Sequence, residues 1–294
     1  LNLMLPAFLR DCLLAPKAVC EGRPCAINDL IMVLDYSHRG DLSLWKLSVI
    51  SWAFEAARGG FGPVQTRGVK MTLEEAVRKI AEIGFDGVEL VIWDIDAFDK
   101  VRRMRIKDEL ESLGIEVSSI GCNDNTYVWN APVWTNPDGT VRAEMVRRVG
   151  RTIEAALEWN CGLVGLWAGS DTIPLKTPYR KAWDLLINSF RRCAEIAEEH
   201  NVKLAAEYKL ESILGNAEST LRLIQEVNSE HLGALLDTGH SIVAREHLPT
   251  VAEMLGDKLF HVHMDDNYGD WDRDLPPGTV HDFREFLKQL KRVG

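Results

Sequence analysis

NVKLAAEYKLESILGNAESTLRLIQEVNSEHLGALLDTGH, residues 201 to 240, contains the organising unit of the whole chain. An apolar strand (VKLAAEYK, 202–209) leads into an amphipathic helix (217–228) and then into a second apolar strand (LGALLDTGH, 232–240). A strand, a helix and a strand in that order form a parallel pair with a crossover helix. Both strands are apolar through the middle and polar at their C-terminal ends. Glu207 and Lys209 close the first, and Asp237 and His240 close the second.

The same unit recurs on either side. Strands are expected at LSVISWAF (47–54), DGVELVIW (86–93), IEVSSIGC (115–122), GLVGLWAG (162–169) and KLFHVHMDDN (258–267). Helices are expected at 72–85, 98–113, 140–159, 178–200, 247–256 and 281–294. The helix at 72–85 opens on Thr72 with Glu75 three residues on, the signature of a capping box. Seven strands therefore alternate with seven helices. Strict alternation fits an open doubly wound sheet or a (β/α)8 TIM barrel. No glycine-rich dinucleotide fingerprint follows the first strand. The polar residues also sit at the C-terminal ends of several different strands, where a barrel builds its site. The barrel is the expected fold, apparently truncated before strand eight, since the seventh unit ends in KRVG. Residues 47–294 form this barrel lacking its last strand, and residues 1–46 are an N-terminal appendage of unknown structure.

Bulk properties narrow the function. The 294 residues are 46% hydrophobic, enough for one large core, and carry a formal net charge of −10. That charge argues against nucleic acid or an anionic membrane as the main partner. No apolar run reaches the ~18 residues of a membrane span, and LNLMLPAFLRDCLLAPK at the start lacks the basic region of a signal peptide. The six cysteines show no C-x-x-C pair. A disulfide between Cys20 and Cys25 is sterically conceivable, but reduced thiols in a cytoplasmic protein are the default expectation.

The alternation of side chains gives the first statement about chemistry. In LFHVHMD, Phe260, Val262 and Met264 share one face and His261, His263 and Asp265 the other. Glu207, Asp237 and His263 then point to the barrel axis from three consecutive strands at similar height. Taken singly, each has an ordinary structural reading as a helix cap or a satisfied polar group. Together, next to the acidic loop DDNYGDWDRD (265–274), they point to a divalent cation, because bare carboxylates in a barrel mouth are costly unless paired or bound to metal. Glu89 also faces the axis, with a structural ion pair as its preferred reading. Trp52, Trp93 and Asn123 are further strand-end candidates that no spacing identifies.

EYKLE (207–211), LDTGH (236–240), FHVHMDDN (260–267) and WDRDLPPG (271–278) resemble the ketol isomerases of the xylose and rhamnose isomerase type, and more broadly the xylose isomerase-like superfamily of sugar isomerases and epimerases. The resemblance spans about residues 47–294 and is strongest after 200. It implies metal ligation by Glu207, Asp237, His240, His263, Asp272 and Asp274, with Asp237 bridging two ions. It implies a substrate-facing catalytic Lys209, a sugar pocket walled by Trp167, and His240 near the substrate. The family's acid on an eighth strand has no counterpart here. Asp265 and Asp266 are expected to orient His263 or cap the loop, Asp270 to be solvated, and His261 to pack behind His263.

The resemblance implies a small-molecule sugar substrate and one or two Mn²⁺, Mg²⁺ or Co²⁺ ions, with aldose–ketose isomerisation by a metal-assisted hydride shift. A sugar epimerase, a polyol dehydratase and an inactive truncated fragment remain as alternatives. An endonuclease on the same barrel is disfavoured by the net charge. The sequence leaves a homo-oligomer open.

Overall fold

A computed structural model describes residues 32–35, 46–50, 72–122, 133–167, 177–210 and 212–293. Strands β1 (Met32–Asp35), β2 (Lys46–Ile50), β3 (Gly87–Val91), β4 (Glu116–Gly121), β5 (Leu163–Trp167), β6 (Lys203–Glu207), β7 (Leu232–Asp237) and β8 (Leu259–Met264) pair in sequence order into a closed ring. From β2 to β8 every pairing is parallel. The fold is a TIM barrel whose strands after residue 46 all run the same way, as the alternation of elements requires. Among the described residues no parallel eighth strand follows β8. In that position of the ring β1, from within residues 1–46, runs antiparallel to both β2 and β8.

The helices follow from local sequence. The first long helix, α1 (Leu73–Ile83), starts with the capping box read from sequence: Thr72 Oγ1 accepts from Glu75 N at 3.2 Å and Glu75 Oε2 accepts from Thr72 N at 2.9 Å. It stops at Gly84, whose φ of 94° suits glycine. Leu73, Ala76, Val77 and Ile80 form its buried face. Next come α2 (Ile92–Ala97), α3 (Lys100–Leu113), α4 (Gly139–Glu158), α5 (Tyr179–Glu199), α6 (Ala217–Val227), α7 (Thr238–Val243), α8 (Leu248–Leu255) and α9 (Arg284–Val293). No helix among the described residues is long and apolar enough to cross a membrane. Cys122, Cys161 and Cys193 are buried free thiols. Cys20 and Cys25 lie outside the described residues.

Two short helices depart from the sequence reading. The segments 86–93 and 232–240 look like unbroken strands, yet the chain turns into α2 after Val91 and into α7 after Asp237. At Asp237 the cause is visible. Its Oδ1 accepts from His240 N at 2.9 Å, so the strand's last residue is also the cap of the next helix. The turn into α7 thus begins at Asp237, inside the segment read as strand.

Parallel strands covered on both faces must be apolar almost throughout. The sequence follows that rule: all of β3, β7 and β8 is buried, and polar residues appear only where side chains turn to the axis. Register then sets their height. Trp167 pairs with Glu207, Glu207 with Leu235, and Asp237 with His263. The acid of β7 and the imidazole of β8 are thus direct neighbours at the C-terminal mouth.

Candidate metal centre

The expected convergence of Glu207, Asp237 and His263 is present in the fold. His263 Nδ1 lies 3.6 Å from Glu207 Oε1 and 3.7 Å from Asp237 Oδ2. These separations are long for hydrogen bonds, and all three side chains are buried. One ligand atom from each lies within 4.8 Å of the others. A second trio, Asp237, His240 and Asp272, satisfies the same limit and shares Asp237 with the first. Here His240 Nδ1 lies 3.1 Å from Asp272 Oδ2, and His240 Nε2 lies 3.7 Å from Glu207 Oε1. A third trio joins Asp265, Asp272 and Asp274. All six residues assigned to metal by resemblance therefore fall into one continuous cluster.

The electrostatics of the cluster are those of a cation site. Burial disfavours the charge on Asp237, but His240 and His263 outweigh it and hold the carboxyl well below its usual range. Burial also disfavours a charged His240, yet Asp237, Asp272 and Glu207 win and push it up to about 10. His263 is raised well above the ordinary imidazole value, against its burial, by Glu89, Asp237 and Glu207. Burial, with the charges of Asp237, Asp272 and Asp274, raises Asp265 well above the usual carboxylate value. Too many carboxylates share too little water.

A divalent cation fits the residues present. Asp265 Oδ2 and Asp272 Oδ1 are buried oxygens with no hydrogen-bond partner, which is costly for a carboxylate in the interior. Gly239 keeps the space between them open. A Cβ there would overlap the Asp265 carboxylate and stand 2.6 Å from Asp272 Oδ1. The donor set is oxygen and imidazole without thiolate, which suits Mg²⁺, Mn²⁺ or Co²⁺.

The acidic loop divides its labour. Asp265 Oδ1 accepts from Gly239 N at 2.7 Å and Thr238 Oγ1 at 3.1 Å, so it ties the loop to the start of α7 and does not touch His263. Asp266 is the loop's true cap: it accepts from Asn267 N, Val280 N, His281 N and His281 Nδ1 at 2.7 to 2.9 Å. Its backbone also exchanges two hydrogen bonds with Leu275, of 2.7 and 2.8 Å, closing the loop's neck. Asp270 is solvated and pairs with Arg273, as expected.

Lys209 lies just beyond β6, with its ammonium 4.6 Å from the ring centre of Trp167, and both are partly exposed. Two of the three residues placed near substrate by resemblance, Lys209 and Trp167, thus sit together. Tyr208, between Glu207 and Lys209, points the other way. It donates to Ser241, which donates to Asp237 O at 3.0 Å, fastening α7 to β6 from behind. Trp52 and Asn123, and the side chain of Trp93, lie outside the described residues.

The sequence reading missed one connection. Glu89, read as a structural ion pair, is indeed paired, but its partners are His261 and His263. His261 Nε2 is 2.8 Å and His263 Nε2 3.2 Å from Glu89 Oε2, and Ser119 donates to the same oxygen. The alternation in GVEL placed Glu89 on the axis; no local signal could say which side chain across the barrel would meet it.

Comparison with known proteins bears on the fold and the family. The chain is 25% identical to the fructoselysine 3-epimerase of Shigella flexneri over 75% of this chain and 81% of that protein. It is 26% identical to the xylose isomerase of Thermus thermophilus over 69% of this chain and 58% of that enzyme. The crystal structure of a D-tagatose 3-epimerase-like protein superposes with a TM-score of 0.69 at 22% identity, covering 84% of this chain and 86% of that one. The family model described as xylose isomerase-like TIM barrel matches residues 77–294. The chain belongs to the xylose isomerase-like TIM barrel family.

Proposed function

We propose that this protein is a divalent-metal-dependent sugar isomerase that interconverts an aldose and a ketose. The observation that carries the reading is that Asp237 belongs to two adjacent ligand trios, one with Glu207 and His263 and one with His240 and Asp272. Such a carboxylate can bridge two cations, and Asp274 completes the acidic wall on the loop side. When bound, Mn²⁺, Mg²⁺ or Co²⁺ supplies Lewis-acid polarisation of vicinal sugar oxygens.

The chain's own residues do the rest. Trp167 offers a flat apolar wall to the sugar ring. Lys209, held over that wall, donates a hydrogen bond to the substrate's carbonyl oxygen as negative charge develops there. His240, buried beside Asp272 as a member of the second trio, would lie next to the bound sugar. Hydrogen then passes between adjacent carbons as hydride, and the proton of the neighbouring hydroxyl is transferred to the former carbonyl oxygen.

The fructoselysine 3-epimerase relative favours a second reading, epimerisation next to a ketone. There Glu207 would remove a proton from carbon, and a single ion would suffice. Incubating the metal-loaded protein with a panel of aldoses and ketoses in D₂O separates the two. Conversion without deuterium in the product, abolished by chelation and restored by Mn²⁺, Mg²⁺ or Co²⁺, supports the hydride shift. A product inverted at the carbon next to the ketone and carrying deuterium there selects the epimerase. If Asp237→Ala keeps the full metal content, neither reading stands.

A further inference from the structure

We infer that Glu89 is a positioning residue for the metal centre: it holds the Nε2 proton of His263 and thereby presents the Nδ1 lone pair to the cation between Glu207 and Asp237. The inference rests on the metal reading above and adds a residue from the opposite side of the barrel to it.

The geometry is directional. The His263 ring has one nitrogen toward Glu89 and the other toward the mouth. Nε2 lies 3.2 Å from Glu89 Oε2, within hydrogen-bond reach. Nδ1 faces Glu207 Oε1 at 3.6 Å and Asp237 Oδ2 at 3.7 Å, with space for an ion among the three. An ionised carboxylate at Nε2 demands a donor there, so the proton of the neutral ring sits on Nε2 and the Nδ1 lone pair is turned toward Glu207 and Asp237. A neutral imidazole hydrogen-bonded to an anion is also a better electron donor through its other nitrogen.

Glu89 is itself fixed from below. Ser119 on β4 donates to Oε2, and His261 Nε2 approaches it at 2.8 Å. The carboxylate is 2% exposed and His261 is wholly buried, so neither is placed to meet substrate. The His261 and His263 rings stand edge to face with centres 5.3 Å apart, which limits how His263 can rotate. This arrangement gives a role to the first histidine of HVH: His261 anchors the carboxylate that orients the second, His263.

Glu89 does not belong to the two trios that contain Asp237. It does form a trio with His261 and His263, and the alternative is that this lower trio binds an ion itself.

The experiment has two arms. In the first, long-range ¹H–¹⁵N spectra of histidine-labelled protein are recorded on the wild type loaded with Mg²⁺ or Zn²⁺. The expected result is a His263 ring protonated at Nε2 with the metal shift on Nδ1. A metal shift on Nε2 overturns the inference and points to the lower trio. In the second, calorimetric metal titration and the visible spectrum of Co²⁺-loaded protein compare wild type, Glu89→Gln and Glu89→Ala. A loss of affinity of about 10- to 100-fold in Glu89→Ala, with a smaller loss in Glu89→Gln, which keeps one acceptor, is expected. Equal affinity and an unchanged Co²⁺ spectrum in both variants overturn it while leaving the metal reading intact. A wild type that binds no divalent ion defeats both. Should the variants fail to fold, the wild-type spectrum alone decides.

Discussion

Two adjacent aspartates end up in opposite situations. Asp265 and Asp266 are both fully buried and both lie on the loop after β8. Asp266, on the outer limb, accepts four hydrogen bonds and is satisfied. Asp265, on the inner limb, keeps one oxygen bare and faces Asp237, Asp272 and Asp274. The outer limb is a self-contained scaffold, while the inner limb is incomplete without a cation. Counting acids in the loop does not separate these roles; counting donors per oxygen does.

The comparison can be broken most severely at Gly239. Gly239→Ala inserts a methyl group between Asp265 and Asp272 and forces both carboxylates aside. Metal affinity is expected to fall at least about 100-fold, and stability by about 1–3 kcal/mol from overpacking. Metal titration and a denaturant melt read the two losses separately; unchanged affinity would show that the space beside Gly239 is not the cation's.

Asp266→Asn should cost about 2 kcal/mol, since the amide turns a donor toward buried N–H groups that need an acceptor. The melting temperature drops with or without metal, and the affinity of the folded protein changes little. Asp265→Asn should do the reverse. The amide nitrogen replaces the crowded oxygen, donates toward Asp272 and removes a carboxyl whose ionised form burial and its acidic neighbours disfavour, so the metal-free protein gains about 1 kcal/mol while metal affinity declines. If both variants melt lower by similar amounts in the absence of metal, the division between the limbs is wrong. The mildest expected effect is at Asp270, whose pair with Arg273 is exposed. Asp270→Ala should stay within about 0.5 kcal/mol of wild type in a denaturant melt and leave metal binding untouched.

Much of this was legible in the chain. Alternation of strands and helices predicted a parallel barrel because a crossover helix leaves few other solutions. The period of two in LFHVHMD predicted which face of β8 carries the histidines. The capping box at Thr72 read correctly because its partners are three residues apart. What escaped had distant or competing causes. The short helix α7 was hidden inside LDTGH because Asp237 serves strand, cap and site at once. Asp265 was expected near His263 or as a cap, but its side chain is claimed by Thr238 and Gly239, 27 and 26 residues away in sequence.

The sequence by itself determined the kind of elements, their order, and which side chains face the axis, because these depend on periodicities of two and 3.6 residues that any local window contains. Only the tertiary structure decided who meets whom. The register between β7 and β8 put Asp237 beside His263. The closure of the ring brought Glu89 across to the same imidazole, 174 residues away in the chain. The antiparallel seat of β1 between β2 and β8 is of the same kind, since strand pairing is a contact between distant segments and leaves no mark within either one.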